Sequence, residues 1–221
     1  MSDREPIPAI ILAAGASRRL GEPKQLVRVA GETLLGRTIR VVRESGVNSI
    51  LVVLGAYCEE IQAGVQMPEV RMVMNPAWGK GIATSIHAGM EALGQAAPGA
   101  QAVLLLVCDQ PSLTAQHLCA LMNTYERAAQ PTVVASRYAG LAGIPAIFPA
   151  ALFPRLLALE GDEGAKRLLR DPDSQPICVD FSGGEFDIDT PADLARIVIP
   201  NYRGDSQPTG RKNYKNGLSI E

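Results

Sequence analysis

Arg18, Arg19 and Lys24 stand in a glycine-punctuated loop that directly follows the apolar run Ile10-Ile11-Leu12-Ala13-Ala14. Gly15 and Gly21 let the backbone turn tightly and approach a ligand with no Cβ in the way, and Ser17, Arg19 and Lys24 supply hydroxyl and cationic donors. Such a set suits an anion, above all the phosphates of a nucleotide. It is not a Walker loop, because Lys24 follows Pro23 and precedes Gln25 instead of closing a Gly-Lys-Ser/Thr run. Nor is it a dinucleotide fingerprint, since charged residues fill the interval from Gly15 to Gly21 and a proline follows.

Two acidic sites complement these cations. Asp109 follows the aliphatic run Val103-Leu104-Leu105-Leu106-Val107 and Cys108, which places a carboxylate at the tip of a buried strand. Desolvation there is costly without a cation or hydrogen bonds, and Mg²⁺ presented with substrate phosphates is the natural partner. The alternative is an Asx-turn that begins the connection toward Pro111. Further on, alternation in Phe186-Asp187-Ile188-Asp189-Thr190-Pro191 sends both aspartates to one side, and Thr190 can cap a helix that Pro191 starts. Asp189 then either shares the cation held by Asp109, or joins Asp187 in capping that helix and complementing its dipole. Spacing leaves both open.

Three further segments bear on a pocket. The run from Asn75 through Trp78 and Gly81 to Ser85 opens a helix with small residues, which permits a base or ribose to lie against backbone; plain capping by Thr84 or Ser85 is the alternative. The turn Gly161-Asp162-Glu163-Gly164-Ala165-Lys166 either contacts substrate or only starts the helix of Ala165, Leu168 and Leu169. Gly143-Ile144-Pro145-Ala146-Ile147-Phe148 reads as a strand whose entrance shapes a pocket wall, or as ordinary turn punctuation. Cys58, Cys108, Cys119 and Cys178 form no C-x-x-C pair, and with only 2 histidines they read as reduced, mostly buried thiols, not a zinc site.

The elements that must position these groups follow from periodicity. Apolar runs near 8–14, 50–54, 70–74, 102–107 and 132–136 read as strands, and helical spacing fills the intervals, as in Leu34, Leu35, Ile39, Val42 and in Ile82, Ile86, Met90, Leu93. Strands apolar on every residue belong to a parallel sheet covered on both faces. The expected fold is a doubly wound, Rossmann-like three-layer α/β/α sandwich with a mostly parallel sheet. In such sheets ligands bind beyond the carboxyl ends of the strands, where the polar loops at 15–24, 75–81 and 108–111 all fall. With 221 residues, 47% of them hydrophobic, the chain suffices for one domain, read as 1–200, and 201–221 reads as a disordered tail. A net charge of −2 with scattered basic residues argues against nucleic acid or a membrane surface as partner. The N-terminus carries no signal-like or membrane-spanning run, so a cytoplasmic location is expected.

The motifs L-A-A-G-x-S-x-R-x-G-x-P-K at 12–24, N-P-x-W-x-x-G-x-x-x-S at 75–85, C-D-Q-P at 108–111, G-x-P-x-x-F at 143–148, G-D-x-G-A at 161–165 and D-I-D-T-P-x-D-L at 187–194 occur in this order. Together they resemble the MobA/MocA-like nucleotidyltransferases, whose fold is of the nucleotide-diphospho-sugar transferase type. Ala14, where the guanylyltransferase branch usually has Gly, makes the chain most similar to the molybdenum cofactor cytidylyltransferases.

The resemblance implies Mg²⁺-dependent transfer of a nucleoside monophosphate, CMP from CTP, to the terminal phosphate of molybdopterin with release of pyrophosphate, and a molybdenum hydroxylase as recipient of the product. By the same likeness Arg19 and Lys24 hold the triphosphate, and Asp109 aided by Asp189 holds the metal. The nucleotide lies against Leu12, Ala13, Ala14, Gly15, Ser17, Gly21 and Lys24, and against Asn75, Gly81 and Ser85. In-line attack by an ionised phosphate needs alignment and charge neutralisation but no general base, in keeping with the lack of a Ser-His or Cys-His pair. The chain departs from the family pattern in having Ile144 where Gly-His-Pro is frequent, Lys166 where Arg is common, and Leu20 for the usual Met. Competing readings are guanylyl or other nucleotidyl transfer to another phosphorylated acceptor, and a non-catalytic cofactor carrier or insertion chaperone.

Overall fold

The computed structural model describes residues 6–65, 69–171 and 174–196. The boundary expected at 200 and the tail at 201–221 lie outside these residues. In chain order the elements are β1 (Ala9–Ala13), a small hairpin of β2 (Arg28–Val29) and β3 (Glu32–Thr33), α1 (Leu34–Glu44), β4 (Ile50–Leu54), α2 (Cys58–Gly64), β5 (Arg71–Met74), α3 (Ile82–Ala96), β6 (Ala102–Val107), α4 (Ala115–Arg127), β7 (Val134–Tyr138), β8 (Leu141–Pro149), α5 (Phe153–Leu157), α6 (Lys166–Leu169), β9 (Ile177–Asp180) and α7 (Pro191–Ala195).

One seven-stranded sheet runs in the order β5-β4-β1-β6-β8-β7-β9, and β8 alone runs against the others. The five strands expected from the sequence all form, with ends displaced by one or two residues, and the 143–148 segment is the heart of β8. β9 and the small hairpin were not legible: their strands are only four and two residues long and, apart from the buried Val29, their residues are half-buried or exposed.

Every residue of β1 and β4 is buried because both faces are covered. Ile11, Val52, Leu104 and Leu106 face a core shared with α1 and α4, while Ile10, Val53, Val103 and Leu105 face one shared with α3, α5 and α6. This is the three-layer sandwich. From β1 the chain moves outward through β4 and β5, then returns to add β6 on β1's other side. The carboxyl ends of β1 and β6 therefore flank a topological switch point, the place where such sheets bind ligands.

α4 is capped by a side chain, the Thr114 hydroxyl accepting from the His117 N–H. α3 is not: neither Thr84 nor Ser85 caps it. Its Ala83 N–H instead donates to the Gly161 carbonyl at 3.1 Å. That contact needs Gly81, where φ is +110° and a Cβ would stand 2.1 Å from the Gly161 oxygen. The small residue expected to admit a base thus admits a neighbouring turn. Of the four thiols only Cys108 is buried; the other three are half-buried.

Candidate active site

Lys24 reaches the carboxyl end of the sheet because Pro23 sets up a short 3₁₀ turn, closed by Leu26 N–H donating to the Pro23 carbonyl. The loop ahead of it is fastened from inside. The Ser17 hydroxyl accepts from the Lys24 N–H at 3.1 Å, and the buried Gln25 amide donates to the Ala13 carbonyl at 2.6 Å and the Gly15 carbonyl at 3.1 Å. Leu20 and Val27 enter a small apolar cluster with Val29, Leu34 and Ile188. Ile188 is wholly buried, and its N–H donates to the Asp109 carbonyl at 3.0 Å. One residue therefore staples three distant segments, carrying Lys24, Asp109 and Asp189, to one another.

The Lys24 ammonium lies 2.7 Å from Asp109 Oδ2 and 2.8 Å from Asp189 Oδ1, and Arg19 closes on Asp189 Oδ2 at 2.7 Å. The Lys24 and Asp109 side chains are only 15% and 18% exposed, whereas Arg19 is 72% exposed. Burial pulls the Lys24 pKa down, but the charge and hydrogen bonds of Asp109 and Asp189 outweigh it, so the ammonium holds its proton more tightly than an ordinary lysine. Burial likewise works against the Asp189 anion, and Lys24 and Arg19 overcome it, leaving its pKa below the usual value. Asp187 is pushed up to about 6 by burial first and by the Asp109 charge second. Burial and the same charge raise the Cys108 thiol to about 12, so it is protonated at neutral pH and no nucleophile.

Asp189 thus reaches across the sheet edge to pair with Lys24. The capping belongs to Thr190 and Asp193, which form a capping box at the start of α7. Asp187 and Asp189 are not on a strand, and they do not do the same thing: Asp187 lines a cavity while Asp189 pairs with Lys24.

Two cavities meet at Asp109. The smaller, about 450 Å³, has Leu12, Ala13, Ala14 and Gly15 along one side and Lys24 at its base. Gly81 and Ser85 stand opposite. The larger, about 980 Å³, opens toward α5 and α6, and Leu12, Ile82, Val107, Asp109 and Asp162 belong to both walls. Ser17, Gly21, Arg19, Asn75 and Asp189 lie outside both linings. Asn75 is buried and donates to the Thr84 and Ser85 hydroxyls at 2.9 and 3.0 Å, so it braces the wall from behind.

A family model described as MobA-like NTP transferase domain matches residues 9–176. The chain belongs to that family. It is 28% identical over 207 residues to nicotine blue oxidoreductase of Paenarthrobacter nicotinovorans, covering 87% of this chain and 96% of that one. It is 30% identical over 199 residues to purine catabolism protein PucB of Bacillus subtilis, covering 85% and 94%. A protein of Opitutus terrae named "probable molybdenum cofactor guanylyltransferase" is 33% identical over 105 residues, 48% of each chain. Among solved structures, Rv0371c of Mycobacterium tuberculosis superposes with a TM-score of 0.75 at 28% identity, over 86% of this chain and 96% of that one, and the same protein is also known as a manganese complex.

In this MobA-like NTP transferase the donor set fits a hard divalent cation. Asp109 Oδ1 is buried without a hydrogen-bond partner among the described residues, and so is Asp187 Oδ1. No group of three or more His, Cys, Asp or Glu side chains there forms a self-sufficient metal cage. One or two carboxylates completed by substrate phosphates is the usual way Mg²⁺ is held.

Several wall residues of this NTP transferase stand in or beside the segments singled out in the sequence but were given no contact of their own there. Arg18, in place of its neighbour Arg19, lines the smaller cavity, together with Gln25 and Trp78. Trp78 packs on Gly55, where a Cβ would stand 2.5 Å from the tryptophan Cβ. A sole tryptophan beside glycines and a glutamine directly after Lys24 were the available signals.

Proposed function

We propose that this MobA-like NTP transferase transfers CMP from CTP to the terminal phosphate of molybdopterin and releases pyrophosphate, and that a molybdenum hydroxylase receives the product. The observation that carries the reading is the Lys24 ammonium bridging Asp109 and Asp189 at the switch point, with a cavity on either side of Asp109. The smaller cavity takes the nucleotide. Lys24, fixed as a cation by its raised pKa, and the exposed Arg19 turn to the triphosphate. Mg²⁺ held by Asp109 and Asp189 would neutralise charge on the phosphates as pyrophosphate leaves.

An acceptor phosphate oxygen attacks the α-phosphorus, the bond from that phosphorus to the bridging oxygen breaks, and pyrophosphate carries the electron pair away. The attacking oxygen is already ionised, so no residue need take a proton, and rigid placement does the rest. CTP is favoured by Ala14, and the molybdopterin acceptor by the six ordered motifs and the likeness to the Opitutus terrae protein. Incubation with each nucleoside triphosphate, Mg²⁺ and molybdopterin is expected to release pyrophosphate fastest with CTP. Equal or faster release with GTP overturns the base assignment, and no release with any nucleotide overturns the transfer itself.

A further inference from the structure

The larger cavity holds cations that the nucleotide does not need. Arg155 pairs with Asp171 and Arg167 with Glu163. Arg170 is exposed at the same wall, whereas Lys166 is half-buried, makes no ion pair within 4 Å among the described residues, and holds its ammonium 5.9 Å above the centre of the Tyr138 ring. That ring is itself fixed, edge-on to Phe181 and with its hydroxyl donating to the Ile144 carbonyl at 3.1 Å. The amide of Gln110, next to Asp109, donates to the same carbonyl at 3.3 Å and to the Gly184 carbonyl at 2.9 Å. Lys166 is therefore a half-buried cation on a rigid platform, in the wall that contains Asp109.

The wall is mixed, with Leu105, Ile144, Leu159 and Leu168 beside the carboxylates of Asp109, Asp162, Asp171 and Asp187. Gln110 is 4% exposed and its Oε1 has no partner among the described residues, while both amide hydrogen-bond directions noted above are committed to backbone.

Resting on the transfer reading above, we propose that this cavity seats the phosphomonoester acceptor and that Lys166 is the residue that reads its phosphate. Lys166 draws the phosphate toward the Asp109 end of the cavity, where the two cavities share a wall. The residue so acts in acceptor binding and not in nucleotide binding.

The test is equilibrium binding of molybdopterin, of its dephosphorylated form and of glucose 1-phosphate to the wild-type chain, Lys166→Ala and Lys166→Arg, beside CTP binding with Mg²⁺. Lys166→Ala is expected to weaken molybdopterin binding about tenfold, the size of one charge-assisted contact, and to leave CTP binding within about twofold. Lys166→Arg restores most of the loss, the dephosphorylated form binds all three proteins alike, and any binding of glucose 1-phosphate weakens in Lys166→Ala as that of molybdopterin does. Unchanged molybdopterin binding in Lys166→Ala, an equal loss of CTP binding, or no molybdopterin binding to the wild type overturns the proposal. Lys166-dependent binding without pyrophosphate release would sustain it while removing the transfer reading.

Discussion

The two cavities that meet at Asp109 are built from different materials. The smaller takes one wall from the strand end of β1, whose backbone is tied down: the Ala13 and Gly15 carbonyls are held by Gln25, and the Ala14 carbonyl accepts from the Ala56 N–H at 3.0 Å. The larger is walled by side chains drawn from β6, β8, α5, α6 and the segment before α7. A backbone wall depends on where strands end, which one local sequence dictates. A side-chain wall depends on how distant elements pack, and it can change residue by residue. The cavity proposed for the nucleotide should accordingly tolerate little and the one proposed for the acceptor much, with Asp109 in both walls and Ile188 holding its segment in place.

That contrast can be broken at its shared residues. Asp109→Ala is expected to lower turnover about 10³-fold in a pyrophosphate-release assay while leaving the fold intact by circular dichroism; activity within tenfold of wild type would remove Asp109 from the chemistry. Ile188→Ala empties a fully buried site, with an expected cost of about 2–4 kcal/mol by chemical denaturation. It should also weaken both nucleotide and acceptor binding, since one residue holds the Lys24, Asp109 and Asp189 segments together. A loss confined to one side would show that the cavities are positioned independently.

Smaller effects sharpen the comparison. Asp187 belongs to the acceptor side, and its native pKa of about 6 lies above its unfolded value, so the native state binds the extra proton and stability falls as pH rises from about 4 to about 6. Asp187→Asn removes that penalty. In metal-free buffer the variant should be more stable than wild type by about 1–2 kcal/mol at pH 7, after allowance for solvent screening, and no more stable below pH 4. A gain independent of pH would exclude the titration as its source. Thr190→Ala, which dismantles the capping box of α7, is expected to cost about 1 kcal/mol in the denaturation midpoint and to change acceptor binding less than nucleotide-loop order.

The nucleotide side was the more legible in sequence, and the reason is physical. The switch from an all-apolar strand to glycine and cations at Gly15, and from Val107 to Asp109, marks the end of a buried parallel strand whatever else the chain does. Lys24 and Asp109 could therefore be placed at one edge before any contact was known. The partners of that edge were another matter. Arg18 and Arg19 are adjacent and chemically identical, so only the course of the loop puts the first in the cavity wall and the second on Asp189. Of Asn75 and Ser85, both read as ligand contacts, Ser85 lines the smaller cavity and Asn75 lies behind it, its amide on the Thr84 and Ser85 hydroxyls. On the acceptor side Lys166, Tyr138, Gln110 and Ile144 come from four separate segments, and no periodicity in one segment records what a second will place beside it.

The contact between Gly81 and Gly161 makes the two sides report on each other. The Ala83 amide at the head of α3 is shielded by a carbonyl from the acceptor-side turn, so it can exchange its hydrogen with solvent only when that turn lifts. Its exchange rate is a built-in gauge of acceptor-side opening, read from a helix that belongs to the nucleotide side. Slower exchange at Ala83 on adding acceptor alone would measure how firmly the turn is pressed down, with no turnover required.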